Sequence, residues 1–189
     1  LEFFSSVACA DDLDKALEQR YGSKVTIIKS RASISSARNL GSKAARGEYL
    51  FFMDGTQRVV SESYLDNALY ILRREEFVGA VGWRGYWASE ETNVSYTLNN
   101  RKIPPYVLFR TDVAFLYGGG LLMSKVLFDE LGGFDESCTQ RPSQDLELSL
   151  RLKHRGYDIA YCPYIQLEEP WETGNTVVTE LEKDRLLRV

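Results

Sequence analysis

The sequence predicts an α/β fold with a doubly wound, mixed and mainly parallel sheet flanked by helices. Two observations carry this reading. Over the first 83 residues, short apolar runs of strand length alternate with segments whose apolar residues recur at helical spacing. The stretch from Glu48 to Met53 is a short, mostly apolar run, the length and character of a strand covered on both faces.

The elements follow in order. Residues 3–9 read as a strand, and residues 11–21 as a helix capped by Asp11 or Asp12, with Leu13, Ala16, Leu17 and Tyr21 on one face. Val25, Ile27 and Ile28 make residues 24–29 a second strand. A helix over 33–46 follows. Its Ala37, Leu40, Gly41 and Ala44 form a face of mostly small residues, which predicts a close packing partner, and Gly47 ends it. The strand 48–53 stops at Asp54-Gly55-Thr56. The next helix starts near Ser61 and turns Leu65, Ala68, Leu69 and Leu72 inward; residues 77–83 form another strand.

Residues 84–117 break the alternation. They are rich in Asn, Thr and Tyr and contain Pro104-Pro105, which predicts irregular structure of the kind that carries function. After Gly118-Gly119-Gly120 and the apolar Leu121-Leu122-Met123, Ser124 is the expected cap of a short helix over 125–131, closed by Gly132-Gly133. Residues 145–152 admit two readings. Leu146, Leu148, Leu150 and Leu152 alternate as in a strand. Ser143 as N-cap, early acids, late bases and Gly156 signal a helix, which is the expectation. A strand over 157–162 and a helix over 176–189 complete the pattern.

Composition narrows the function classes. A chain of 189 residues, 44% hydrophobic and 26% charged, suits one domain with a sizeable core. A net charge of -4 gives no global attraction to nucleic acid or anionic lipid. No apolar run is long enough to span a bilayer. The opening Leu1-Glu2-Phe3-Phe4 is neither a signal peptide nor a natural initiation site, so an excised or trimmed fragment is expected. Cys9, Cys138 and Cys162 are odd in number and unclustered, which suggests neither a disulfide framework nor a zinc site. A cytoplasmic, reducing setting fits, with any peripheral attachment to a membrane supplied by parts outside this chain. His154 ends a basic helix, where its charge favours the dipole; a catalytic pair built on it is not expected.

Three segments carry more specific information. The first is Ser36-Ala37-Arg38-Asn39-Leu40-Gly41, continued by Ala44-Ala45-Arg46-Gly47-Glu48-Tyr49-Leu50-Phe51-Phe52-Met53-Asp54. The second runs from Gly119-Gly120 through Phe128 and Leu131 to Gly132-Gly133-Phe134-Asp135-Glu136. The third is Gln144-Asp145-Leu146-Glu147-Leu148, then Leu150-Arg151-Leu152, Gly156-Tyr157 and Tyr161-Cys162-Pro163. In this order and spacing they resemble the family 2 glycosyltransferases, with their "ARNxG…AxGEYLxFLD", "GGFDE" and "EDxDLxLRLxxxGYxxxYxP" stretches.

The resemblance implies the Rossmann-like GT-A fold, a nucleotide-sugar donor, and a glycan, lipid-linked or protein acceptor, as in cell-surface polysaccharide biosynthesis. It covers nearly the whole chain as a single partial domain, 1–189, with 1–83 as the nucleotide-binding half and 84–189 as the acceptor-binding half. Residues 2–21 look like the family's second strand and helix; its opening strand and helix have no counterpart here.

Inverting sugar transfer needs a base for the acceptor hydroxyl and positive charge or donors for the leaving diphosphate. The resemblance assigns the base to Asp145; the bland alternative is an acid that only favours the helix dipole. Asp54 opens the family's metal-binding DxD motif, which implies Mn or Mg as cofactor. Here the motif reads Asp54-Gly55-Thr56, and a hydroxyl is a weaker ligand than a carboxylate. A plain turn competes with this reading of Asp54-Gly55. Where the family often has a metal-binding His, this chain has Glu168 and Glu169; either offers an oxygen ligand instead, Glu169 first, and a solvated loop is the competing reading. Arg38, Asn39, Thr56, Gly119 and Gly120 complete the implied donor site. Arg38 suits a phosphate or a carboxylate. Asn39 alternatively bridges loops, and the glycines alternatively form a flexible turn. Trp83, Tyr86, Trp87 and Arg110 lie in or near the irregular region, for acceptor stacking or for core packing.

The chain also departs from the pattern at Val7 and Ala8, where the family usually has an acidic pair, and at Gln144, where it has an acid. These departures keep a second reading open: a catalytically inactive GT-A-like module that binds a glycan or a protein. A haloacid dehalogenase-like phosphatase is rejected, because Phe52 occupies the place of its nucleophile. A sugar nucleotidyltransferase would want a glycine-rich phosphate loop with a basic residue, and none is visible.

Overall fold

The computed structural model describes residues 3–5, 18–28, 33–54, 57–59, 63–82, 116, 119–138, 143–161 and 167–168; for 3–5, 58, 161 and 167–168 only the backbone is described. The strands are β1 (Phe3–Ser5), β2 (Val25–Ile27), β3 (Tyr49–Phe52), β4 (Arg58–Val59), β5 (Val78–Gly82), β6 (Leu121–Ser124), β7 (Asp158–Tyr161) and β8 (Leu167–Glu168). Among the described residues the helices with complete bounds are α1 (Ile34–Ala44), α2 (Tyr64–Arg74), α3 (Lys125–Glu130) and α4 (Ser143–His154). Residues 18–21 of the expected 11–21 helix are helical and lead into a 3-10 turn, Gly22–Lys24, while 11–17 lie outside the described residues.

The main sheet has the order β3-β6-β5-β7. β6 runs antiparallel to both β3 and β5, and β7 runs parallel to β5. Three strands therefore share one direction and one opposes them, the mixed sheet expected. β1 and β2 pair in parallel as a separate two-stranded sheet, and β4 pairs with β8 in an antiparallel ribbon that sequence reasoning did not anticipate.

Strand alternation sends side chains to two cores. Leu50, Phe52, Ala80, Leu121, Met123 and Ile159 face one side and pack with Leu127, Phe128, Leu148 and Leu152 of α3 and α4. Val78, Val81, Leu122 and Ala160 face the other and pack with Tyr64, Ala68 and Ile71 of α2. Helices thus cover both faces, which is why these strands read as continuous apolar runs. Leu65, Leu69 and Leu72 flank the second core half-buried, so the inward stripe of α2 is centred on Tyr64, Ala68 and Ile71 instead.

Two corrections concern helix faces and ends. The buried face of α1 is Ser35, Asn39 and Ser42, not Ala37, Leu40, Gly41 and Ala44; Leu40 and Ala44 are exposed. A search for apolar periodicity misses this face because polar bonds hold it. Ser143 is the first residue of α4 rather than its preceding cap. The other end signals hold: Asp145 lies in the first turn, Arg151, Lys153 and His154 in the last, and burial of Leu148 and Leu152 with Asp145 and Ser149 is helical, not alternating. The expected cap Ser124 accepts from the Leu127 amide at 3.5 Å, and Ser33, read as the first residue of its helix, is instead its N-cap and accepts from the Ser36 amide at 3.2 Å. The expected helix at 176–189 and nearly all of the irregular 84–117 lie outside the described residues.

Candidate active site

The site forms where the C-terminal end of β3 meets the first turn of α4, with α1 alongside. β3 delivers Asp54 beyond its last residue, and the turn that follows is held locally. The amide of Gln57 donates to the Asp54 carbonyl at 3.0 Å, and the Gln57 side-chain oxygen accepts from the Asp54 amide at 2.9 Å. Gln57 is buried, and sequence reading did not single it out. Its only sequence signal is its place just after Asp54-Gly55-Thr56.

Arg38 joins the two candidate carboxylates. Its Nη2 donates to Oδ1 of Asp54 at 2.9 Å, and its Nη1 donates to Oδ1 of Asp145 at 3.0 Å. Arg38 and Asp145 are 10% and 7% exposed at the side chain, and Asp54 is 21% exposed. Ion pairs this far from water are costly to break from one side, by about 3–5 kcal/mol when one partner is removed. The guanidinium also lies over the Phe134 ring, 5.2 Å from its centroid, a cation–π contact. Asp54 and Asp145, distant in sequence, are thus on one side of the molecule and share one cation.

Phe134 is placed by Asn39. The Asn39 amide nitrogen donates to the Phe134 carbonyl at 2.9 Å and to Glu136 Oε1 at 3.0 Å, while the Phe134 amide donates to Asn39 Oδ1 at 2.9 Å. Asn39 was expected in the donor set. It is buried and engaged at both ends of its amide, which is the loop-bridging position. The double glycine makes this approach feasible. Gly133 has φ +77°, and a Cβ there would lie 2.6 Å from Asn39 Oδ1. From the other side Arg151 donates to the carbonyls of Leu131 and Gly133 and pairs with Glu147.

The expected glycines also pack against the site. A Cβ on Gly119 would lie 2.5 Å from Gln57 Nε2 and 3.0 Å from Asp54 Oδ2. Gly120, at φ +88°, donates its amide to the Phe52 carbonyl and accepts from the Tyr64 hydroxyl at 2.8 Å. Thr56, Gly118 and Glu169 lie outside the described residues, as do Val7, Ala8, Trp83, Tyr86, Trp87 and Arg110. Gln144 is 2% exposed, and its amide nitrogen has no hydrogen-bond partner among the described residues. An acid there would put a second buried charge beside Asp145.

Three titratable groups near the site are shifted. The Asn39 amide, and then the Ser36 side chain, hold the Glu136 carboxyl below its ordinary value. Hydrogen bonds from Ser137 do the same for Asp135. Desolvation, reinforced by the charges of Asp135 and Glu147, pushes the Cys138 thiol up, so it is no activated nucleophile. Among the described residues no group of three or more His, Cys, Asp and Glu side chains is placed to hold a metal. Asp54 fits as one hard oxygen ligand of the sort Mn or Mg takes alongside substrate phosphates. No described helix is long and apolar enough to cross a membrane.

A mixed sheet covered by helices, with an acid at a strand end and an acid at a helix start joined by one arginine, is the arrangement that the resemblance to GT-A glycosyltransferases implies. Among solved structures the chain is similar to the mannosyltransferase PcManGT from Pyrobaculum calidifontis in complex with GDP-Man and Mn2+. The TM-score is 0.64 at 18% identity, over 90% of this chain and 48% of that one. It is also similar to GalNAc-T7 with UDP, GalNAc and Mn2+, with TM-score 0.63 and 15% identity over 87% of this chain and 36% of that one. The S. aureus TarS 1-349 structure with UDP gives TM-score 0.54 and 15% identity, over 85% and 48%. The chain spans less than half the length of each of these proteins. No curated protein sequence matches it. The profile of "Glycosyltransferase like family 2" matches residues 4–185, and the chain belongs to that family.

Proposed function

We propose that this chain forms the core of an inverting glycosyltransferase, which moves a sugar from a nucleotide-sugar to a hydroxyl of a glycan, lipid-linked or protein acceptor. One observation carries the reading: Asp54 and Asp145 converge on Arg38. Residues 1–83 then serve the donor and residues 84–189 the acceptor.

In this reading Asp145 takes the proton of the acceptor hydroxyl. The acceptor oxygen attacks the anomeric carbon from the face opposite the diphosphate, and the bond from that carbon to the phosphate oxygen breaks with inversion. The nucleoside diphosphate leaves with the electron pair. Arg38 supplies fixed positive charge for it, and its seat on Phe134 limits the reorganisation needed. A divalent cation held at Asp54, with Glu169 as the other expected ligand, would add positive charge against the same diphosphate. The glycines at 119 and 120 let the backbone run close to Asp54.

The test has two arms. UDP, GDP and dTDP sugars are added to the chain with and without Mn2+, and thermal stability is followed. A cognate donor at ~100 times its dissociation constant is expected to stabilise by about 2.7 kcal/mol. Transfer or donor hydrolysis is then compared with Asp145→Asn, which is expected to lower the rate by about 10²–10⁴-fold. Equal rates would remove Asp145 from the mechanism. No response to any nucleotide would favour the non-enzymatic binding module.

A further inference from the structure

We infer that Arg38 competes with a divalent cation for the Asp54 carboxylate, so that this arginine sets the metal affinity of the donor site. The inference rests on the reading of Asp54 as the donor-side carboxylate. It concerns only this chain's own residues and not the transfer step.

The guanidinium is fixed from three directions: Nη2 on Asp54 at 2.9 Å, Nη1 on Asp145 at 3.0 Å, and the Phe134 ring beneath Cζ at 5.2 Å. The ring is itself fixed by two Asn39 bonds to the Phe134 backbone. Arg38 is therefore not a loose surface cation that a metal would displace at no cost. It occupies Oδ1 of the one described carboxylate at the strand end. A hard divalent ion wants anionic oxygen at close range and is repelled by a neighbouring positive charge. The sequence sharpens the contest. Thr56 stands where a second acid would add charge, so Asp54 bears the metal's attraction against a guanidinium already seated on it. Among the described residues, the two carboxylates and the guanidinium of this cluster carry a formal charge of one negative unit, against two without Arg38.

The test uses the whole chain and Mn2+ alone, with no nucleotide or sugar. Free Mn2+ is read from its electron paramagnetic resonance signal during titration. Arg38→Gln retains hydrogen-bond donors and removes the charge. It is expected to bind Mn2+ at least about tenfold more tightly than the wild type, since lifting a unit charge from beside a divalent ion is worth that much even with water-like screening. Adding Asp54→Asn to Arg38→Gln is expected to abolish the gain. Unchanged or weaker affinity in a cooperatively melting Arg38→Gln protein would overturn the inference, as would a gain that survives Asp54→Asn. Should Arg38→Gln not fold, the wild type decides. Side-chain resonances of Arg38 in arginine-labelled protein are expected to shift with the same Mg2+ midpoint as metal binding, and binding without that shift would overturn the competition. Failure of the proposed function is seen separately, because sugar transfer plays no part in either readout.

Discussion

Replacing Asn39 with alanine isolates the device that holds the site together. The side chain makes two bonds to the backbone of Phe134, at 2.9 Å each, and one to Glu136 at 3.0 Å. Phe134 is 2% exposed, so Asn39→Ala leaves a buried amide and a buried carbonyl with no replacement from bulk water. Each orphaned group costs about 1–3 kcal/mol, and partial relaxation of the loop puts the sum near 3 kcal/mol. The bond to exposed Glu136 adds nothing to this figure. For a chain of this size, ~3 kcal/mol corresponds to a fall in Tm of roughly 6–12 °C. Differential scanning calorimetry of both proteins measures it. Asn39→Asp is the sharper control: it keeps the acceptor for the Phe134 amide but turns a carboxylate toward the Phe134 carbonyl and Glu136. It is expected to be no more stable than Asn39→Ala at neutral pH. A cooperative Asn39→Ala transition within about 2 °C of the wild type would refute the claim that this side chain carries the 133–136 loop.

Other outcomes follow from the same geometry. Gly119→Ala puts a methyl 2.5 Å from Gln57 Nε2 and is expected to cost about 1–3 kcal/mol in urea unfolding, with a loss of nucleotide affinity because Gln57 pins Asp54; an unchanged midpoint and affinity would contradict it. Glu136 has its carboxyl held below the ordinary 4.5, first by Asn39 and then by Ser36. A depressed folded value means stability that is present above 4.5 and lost as pH falls through the lower folded value. Glu136→Gln is therefore expected to flatten the acid limb of a Tm-against-pH curve, and an equally steep limb would show that the hydrogen bonds to Glu136 carry no linkage.

Much of the architecture was legible because it rests on apolar periodicity. The runs at 48–53 and 77–83 contain β3 and β5, which lie between two helical layers, and their neighbours in the sheet bury both faces. What escaped the sequence is polar. The buried side of α1 is Ser35, Asn39 and Ser42, residue types that signal surface when read one at a time. Their burial is rational only once their partners are known: Ser35 and Asn39 bond to 134, 136 and 138, and the Ser42 hydroxyl donates to the Asn39 carbonyl within the helix. The β4–β8 ribbon escaped for a different reason, since two-residue strands carry no period to detect. Gln57 escaped because one glutamine after a turn has no pattern at all. For the site, resemblance marked Asp54, Asp145 and Arg38, but nothing in residue spacing required one arginine to touch both acids.

That shared arginine follows from the polar packing of α1. Ser35, Asn39 and Ser42 are spaced to lie on one helix face, and Ser35 and Asn39 of this face bond to the 133–138 loop. Arg38 is one residue before Asn39, about 100° around the helix, so it emerges beside the bonded face rather than on it. From there it reaches the end of β3 on one hand and the start of α4 on the other, with Phe134 of the same loop as its floor. An apolar α1 face would slide and rotate more readily, because dispersion contacts are tolerant of small shifts and directional bonds are not. The hydrogen bonds that seat the helix therefore also aim the charge. Any substitution that loosens the 133–136 loop is expected to reach both carboxylates through this one residue.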